Sequence, residues 1–326
     1  MRLETNELNY DWQDNWAGLN SEDGNSHHDL VIDSQGRIFC SFSTEPYLRV
    51  FDHDGKKLTA FNLSGPAMHC LFISSDRDGE WLWNIDLANH RLTKSTLDGE
   101  IMKSVGREAF AVADDEKLEF TAGTYDPDTG NIWVADGYGY ARGGDYGGNY
   151  IYCFNAELEL QFRFDGSEAA CGVFKEPHWI FADRRKGHTE IYIADRRQHR
   201  LVVYDGRGQF LRTVTGDFNT PSSFGVFEDK LVVQELKGRV HILNANDEII
   251  ETMADGSDYA TVAGWPNRSI NNESVSPLNH VEPGKLNSPH GLAVDTAGNI
   301  YIHEWHTGVR ISKLCRRSDK HGSKAE

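Results

Sequence analysis

The chain of 326 residues is poor in cysteine, and the cysteines it has follow no pattern. Cys40, Cys70, Cys153, Cys171 and Cys315 are odd in number and show no CxxC spacing. That argues against a disulfide framework and against a cysteine-based zinc site; free, mostly buried thiols fit a reducing compartment. Positive charge is also short, with 33 Lys and Arg against 50 Asp and Glu, a net charge of −17 and a pI near 5.2. So acidic a surface is a poor partner for nucleic acid or an anionic membrane. No run of ~18 apolar residues occurs, so no helical membrane span is expected. The opening MRLETNELNYDWQDNW lacks the apolar stretch of a secretory signal, which makes the cytoplasm the expected location.

What the chain does contain is a globular composition, 39% hydrophobic and 11% aromatic, and a repeat. SPHGLAVDTAGNIYIHEW, starting at Ser288, is an apolar strand, a turn rich in Asp and Gly, and a second strand. Relatives of it begin at His27, Ala67, Phe120, Glu176 and Thr220. Third strands follow, such as HRLVVYD and RVHIL, often with a DGK or DGE turn and a further short strand. The six copies align at His28, His69, Thr121, His178, Ser222 and His290, spaced 41, 52, 57, 44 and 68 residues apart. Four short strands per unit of this length predict an all-β fold, a six-bladed β-propeller with four-stranded antiparallel blades around a central channel.

Residues 1–315 read as one such propeller, in which the stretch Leu8–Trp16 supplies the missing outer strand of the last blade and removes an open edge. The tail from Arg316 to Glu326 is expected to be disordered, and the Gly-rich insert Ala141–Asn149 mobile.

The aligned position precedes the first strand of each blade and is expected to ring the channel mouth. Four of its six occupants are histidine, in a chain with 14 histidines. His69, His178 and His290 lie on alternate blades, 109 and 112 residues apart. On a six-fold ring such positions converge as an open tripod, the ligand set of catalytic zinc, and imidazole also accepts other divalent transition metals. His28 is surplus: a fourth ligand, a proton donor, a substrate contact or channel lining. The second strands close on Asp86, Asp136, Asp195, Glu235 and Glu304, where an acid commonly caps a turn. Tyr138 and Arg196 follow two of these acids. A tyrosine beside a cation can serve as general base, and an arginine can hold a carboxylate through paired hydrogen bonds.

The blades resemble NHL repeats. The segments MHCLFI…EWLWNIDLANHRL, NIWVADGYG, EPHWIF…IYIADRRQHRL and SPHGLAVDTAGNIYI resemble, in particular, the lyase domain of peptidylglycine α-amidating enzymes. That resemblance implies zinc ligands at His69, His178 and His290, a catalytic tyrosine at Tyr138 and an arginine at Arg196. The implied reaction cleaves a peptidyl-α-hydroxyglycine into an amide and glyoxylate. By the same analogy a structural calcium can sit deep in the channel, with Asp29 as a contact. The pattern departs at FCSFSTEP (Phe39–Pro46), which lacks the family's blade-one arginine, and at Ser288 and Gly139, where the family has methionine and cysteine; His28 is an addition.

The expected activity is a metal-dependent lyase acting on a small or peptide-like hydroxylated substrate, with His28 beside Tyr138 and Arg196 in the catalytic set. The alternatives are a metal-dependent hydrolase of esters or lactones, and a non-catalytic NHL interaction module.

Overall fold

The computed structural model of the chain describes residues 1–4, 8–20, 23, 26–113, 116, 118–138, 148–270, 273–278, 280–305 and 308–317. Residues 141–147 of the Gly-rich insert and 318–326 of the tail lie outside the described residues. The fold is a six-bladed β-propeller. Blades one to five are four-stranded antiparallel sheets running outward in chain order from Ser26–Ile32, Met68–Asp76, Phe120–Tyr125, Pro177–Asp183 and Pro221–Phe227. The sixth starts at Pro289–Val294, continues through Ile300–Glu304 and Ile311–Arg316, and takes Asn9–Gln13 as its fourth strand, with Tyr10 opposite Arg316 and Trp12 opposite Leu314. Arg2–Glu4 adds a fifth strand outside it. A short hairpin, Arg268–Ile270 with Glu273–Val275, occupies the insert before blade six.

Burial explains which sequences fill which strand. Second strands are sandwiched between neighbouring blades, so Ile38–Phe42 and Glu190–Asp195 are buried at every position rather than alternately. Outer strands such as Lys57–Phe61 are exposed or half-buried throughout. Aromatic residues pack within blade three and the segment leading into it: Trp133 is fully buried with its ring 5.5 Å from Phe162, and Phe110 meets Phe120, Tyr152 and Phe154. Each such side chain contributes on the order of 1.5–3 kcal/mol by leaving water. The cysteines are free, four of them buried.

The six innermost strands contact one another around a closed ring. Toward their C-terminal ends they enclose a cavity of about 520 Å³ with walls from Leu30–Ile32, Phe72, Phe181, Phe224 and Val294. Trp179 and Asp29 stand at the inner end of that cavity. The histidines lie on the other side of these two residues, at the N-terminal ends of the same strands.

Candidate functional site

The aligned residues do not precede their strands, as the sequence pattern suggested; they lie within them, at irregularities. Pairing with the second strand slips between Met68 and Cys70, Phe120 and Ala122, Pro177 and Trp179, Pro221 and Ser223, and Pro289 and Gly291. The residue left over is in each case the ring residue: His69, Thr121, His178, Ser222 or His290. A bulge adds one residue to one strand and re-aims its side chain, which turns these residues from the blade face toward the channel. In blade one the slip is wider, from Ser26 to Leu30, and contains His28.

In blades three to six the acids at the ends of the second strands fix the approach to the bulge, whereas Asp86 of blade two accepts from Asn89 instead. Asp136 accepts the Glu119 N–H at 2.7 Å and Asp195 the Lys175 N–H at 2.7 Å. Glu235 accepts from Asn219 and Thr220, and Glu304 from Asn287 and Ser288. These carboxylates therefore clamp the chain just before Thr121, His178, Ser222 and His290, the capping role read from sequence, exerted across the blade. Asp136 is held at a cost. Burial, with the Glu119 and Glu116 charges adding, pushes its carboxyl from 3.8 up to about 7. A carboxyl raised by folding gives stability that is complete below the unfolded value and lost as pH rises through about 7. Asp136→Asn is expected to make the fall in stability between about pH 4 and pH 7 shallower, by up to a few kcal/mol. Urea midpoints across that range measure it, and an unchanged slope would clear Asp136.

Four imidazoles converge. Ring centroids are 5.2 Å apart for His69 and His178, 4.9 Å for His178 and His290, and 4.8 Å for His69 and His290. His28 lies 4.5 Å from His69 and 4.6 Å from His290. All four are buried. Among the described residues, one group of ligating atoms lies within 4.8 Å of one another, and it comprises His28, His69 and His290. That group shares His69 and His290 with the expected tripod but holds His28 in place of His178, whose ring lies beside those of His69 and His290.

Orientation follows one rule. His69 Nδ1 lies 2.5 Å from the Thr121 carbonyl oxygen and His290 Nδ1 lies 3.1 Å from that of His28; each carbonyl belongs to the ring residue of the next blade. The Ser222 backbone stands in the same relation to His178, close enough to favour a protonated ring, although neither His178 nitrogen completes a hydrogen bond. A carbonyl on Nδ1 sets the tautomer and presents Nε2 as the ligand atom, the usual outer support of a metal-bound histidine. Burial, then the Arg196 charge, holds His178 well below its ordinary pKa and so in the neutral form that metals take. Buried ring nitrogens with no hydrogen bond, as in His178, are costly unless something else satisfies them. The donor set therefore fits a transition metal.

Tyr138 reaches this cluster, its ring 5.7 Å from that of His69. The Glu119 carbonyl accepts the N–H groups of Gly137 and Tyr138. A Cβ on Gly137 would sit 2.5 Å from the Pro177 carbonyl oxygen, so the DGY turn needs glycine to pass beneath blade four. Arg196 is buried, and its Nε donates to Glu176 Oε1 at 2.9 Å. Arg197 donates to the other oxygen of the same carboxylate. Sequence reasoning missed Glu176, two residues before His178, and Trp179, whose ring lies 6.0–6.4 Å from those of His69, His178 and His290 and floors the cluster. It also missed Arg49. The blade-one mouth carries Phe42 where other blades carry an acid, and Arg49 stacks over that ring at 4.1 Å, tied to Asp23.

Asp29 has both carboxylate oxygens occupied, by the N–H groups of Leu30 and Leu71, and burial drives its pKa well up. It joins no group of three ligating side chains among the described residues, so the calcium contact inferred from resemblance receives no support there.

Fold and cluster together define a six-bladed β-propeller with histidines massed at one channel mouth, similar to NHL-repeat proteins. No family model matches the chain. Human NHL repeat-containing protein 3 is 23% identical over 267 residues, which cover 79% of this chain and 70% of that protein. Peptidyl-glycine alpha-amidating monooxygenase B of Xenopus laevis is 28% identical over 243 residues, 73% of this chain but 25% of that protein, so the similarity spans about a quarter of that relative. Among solved structures, a streptogramin B lyase superposes with a TM-score of 0.61 at 13% identity, covering 94% of this chain and 98% of its own. A catalytically inactive virginiamycin B lyase from Staphylococcus aureus, determined with quinupristin, gives 0.58 at 16% identity, covering 94% and 99%. These two share the fold.

Proposed function

We propose that the chain is a metal-dependent lyase that breaks a carbon–nitrogen or carbon–oxygen bond beside a substrate hydroxyl, with His69, His178 and His290 as metal ligands. The observation that carries this reading is the meeting of buried, backbone-oriented imidazoles with Tyr138 at one channel mouth. Similarity to an amidating monooxygenase supports it, and zinc is the first candidate for an open three-histidine site. A divalent ion bound there supplies Lewis acidity toward the hydroxyl oxygen. Tyr138 takes the hydroxyl proton. The electron pair of the breaking C–N bond goes to nitrogen, which is protonated in turn, and the carbinol carbon becomes a carbonyl. Arg196, held by Glu176, uses its remaining donors on a carboxylate or oxyanion. Trp179 keeps water from the rear of the cluster.

A hydrolase of esters or lactones is the second reading. It is favoured by Phe42 standing where an anion-binding residue would serve the lyase. Both readings take a small or peptide-like substrate and assign the cytoplasm as location. Purified protein loaded with Zn²⁺ should release glyoxylate from α-hydroxyglycine amides at a rate that falls on chelation. Turnover of lactones or esters alone would favour the hydrolase. Turnover of none of these by metal-loaded protein would favour the non-catalytic interaction module.

A further inference from the structure

We infer that Trp305 is a specificity-determining residue of this site, and that the substrate carries an aromatic or bulky apolar group that lies against it while Arg196 takes the anionic end. This rests on the lyase reading above and adds the class of substrate.

A second ring surrounds the histidines, and one recurring backbone bond builds it. In blades two to six the residue after the second-strand acid donates its N–H to the carbonyl two residues before the aligned position. Leu87 donates to Ala67 at 3.0 Å, Gly137 to Glu119 at 3.2 Å, Arg196 to Glu176 at 3.0 Å, Leu236 to Thr220 at 2.9 Å and Trp305 to Ser288 at 2.9 Å. The bond fixes these five residues at equivalent places around the mouth. Arg196 of blade four is the charged one. Blade five then presents Leu236 and blade six Trp305, both half-buried. Around this half of the mouth the wall therefore passes from a guanidinium to an aliphatic side chain to an indole.

Trp305 is held more tightly than a loop residue needs to be. Ser288 donates its Oγ–H to the Trp305 carbonyl at 2.6 Å, besides accepting the N–H. That bond needs the Ser288 hydroxyl, at one of the positions where the chain departs from the amidating-enzyme pattern. Asn267, in the insert before blade six, donates to the same carbonyl at 3.2 Å. Trp265 of that insert donates Nε1–H to the Asn287 carbonyl at 3.2 Å, so the insert is docked on this side of the mouth. The Trp305 ring lies 6.0 Å from that of His28 with the planes 37° apart, which sets it against the histidine cluster. A half-buried indole on an immobilised backbone offers a large apolar contact at little entropic cost. A concave mouth with an apolar wall and one convergent cation is the usual form of a small-molecule site. Arg196 and Trp305 stand two blades apart, so they grip two different ends of one substrate with the histidines between them.

The test uses N-benzoylglycine and N-acetylglycine, two carboxylates that differ only in the acyl group. Each is titrated by calorimetry into full-length protein loaded with Zn²⁺. The wild type should bind the benzoyl probe about tenfold or more tighter, the scale of one aromatic contact with its buried area. Trp305→Ala should shrink that ratio to about threefold or less while leaving the affinity for N-acetylglycine unchanged, and Trp305→Phe should keep most of it. Arg196→Met should weaken both probes alike and preserve the ratio. Thermal melts should leave the Trp305 variants folded, because the backbone bonds to Ser288 and Asn267 do not need the indole. Equal binding of the two probes by the wild type, a preference that persists in Trp305→Ala, or binding of neither probe would overturn the inference. Turnover judges the lyase reading separately. Glyoxylate release from α-hydroxyglycine amides without an acyl preference would overturn the inference and keep the lyase. An acyl preference in binding that vanishes in Trp305→Ala, in protein that turns over none of these amides, would keep Trp305 as the recognition residue and remove the lyase.

Discussion

His69→Ala loses the metal and, with it, turnover. Of the four histidines His69 is the most connected: its ring contacts those of His28, His178 and His290, and also Tyr138 and Trp179. It belongs to the tripod on alternate blades and equally to the group formed with His28. Its removal therefore damages the site whichever set holds the ion. Loss of an outer hydrogen-bond partner of a metal ligand costs roughly 10–100-fold in affinity; loss of the ligand itself is expected to exceed that. The fold should survive, because the Thr121 carbonyl that meets Nδ1 lies at the channel mouth, where water can replace the ring. Metal titration together with a thermal melt checks both halves. A variant that keeps metal and activity would show His69 to be a strand-end residue and nothing more.

Tyr138→Phe should do the reverse, keeping the metal and losing the chemistry. The ring stays against His69, so packing and ligand geometry are preserved; only the hydroxyl goes. General acid–base groups contribute roughly 10²–10⁴-fold, and the loss should fall on kcat with little change in metal content. Full activity in this variant would take Tyr138 out of the reaction and leave proton transfer to bound solvent or His28.

The fold was legible because its signals are local. Alternating turns and strands recur at blade spacing, and the copies can be laid on one another without knowing what touches what. The ring of histidines was legible for the same reason, since His69, His178 and His290 fall in one register. Their position was read one step wrong. The pattern puts them before the strand, whereas each is the extra residue of a bulge, and a bulge leaves no mark in residue type that separates it from a strand start. Glu176, Trp179 and Arg49 were not found because their roles exist only once the ring closes. Glu176 acts on arginines 20 and 21 residues away. Trp179 is placed by three histidines from three blades. Arg49 reaches the blade-one mouth from the third strand, Leu48–Phe51. His28 was legible as a residue and not as a geometry: its closeness to His69 and His290 depends on blades six, one and two meeting at the channel mouth.

The central claim is that the channel mouth is a metal centre. Elemental analysis of the purified full-length protein, beside His69→Ala, His178→Ala and His290→Ala prepared identically, tests it most directly. About one transition-metal ion per chain in the parent, and sharply less in each variant, is the expected result. Equal metal content in the parent and all three variants, or none in a parent incubated with Zn²⁺ and Co²⁺, would contradict it.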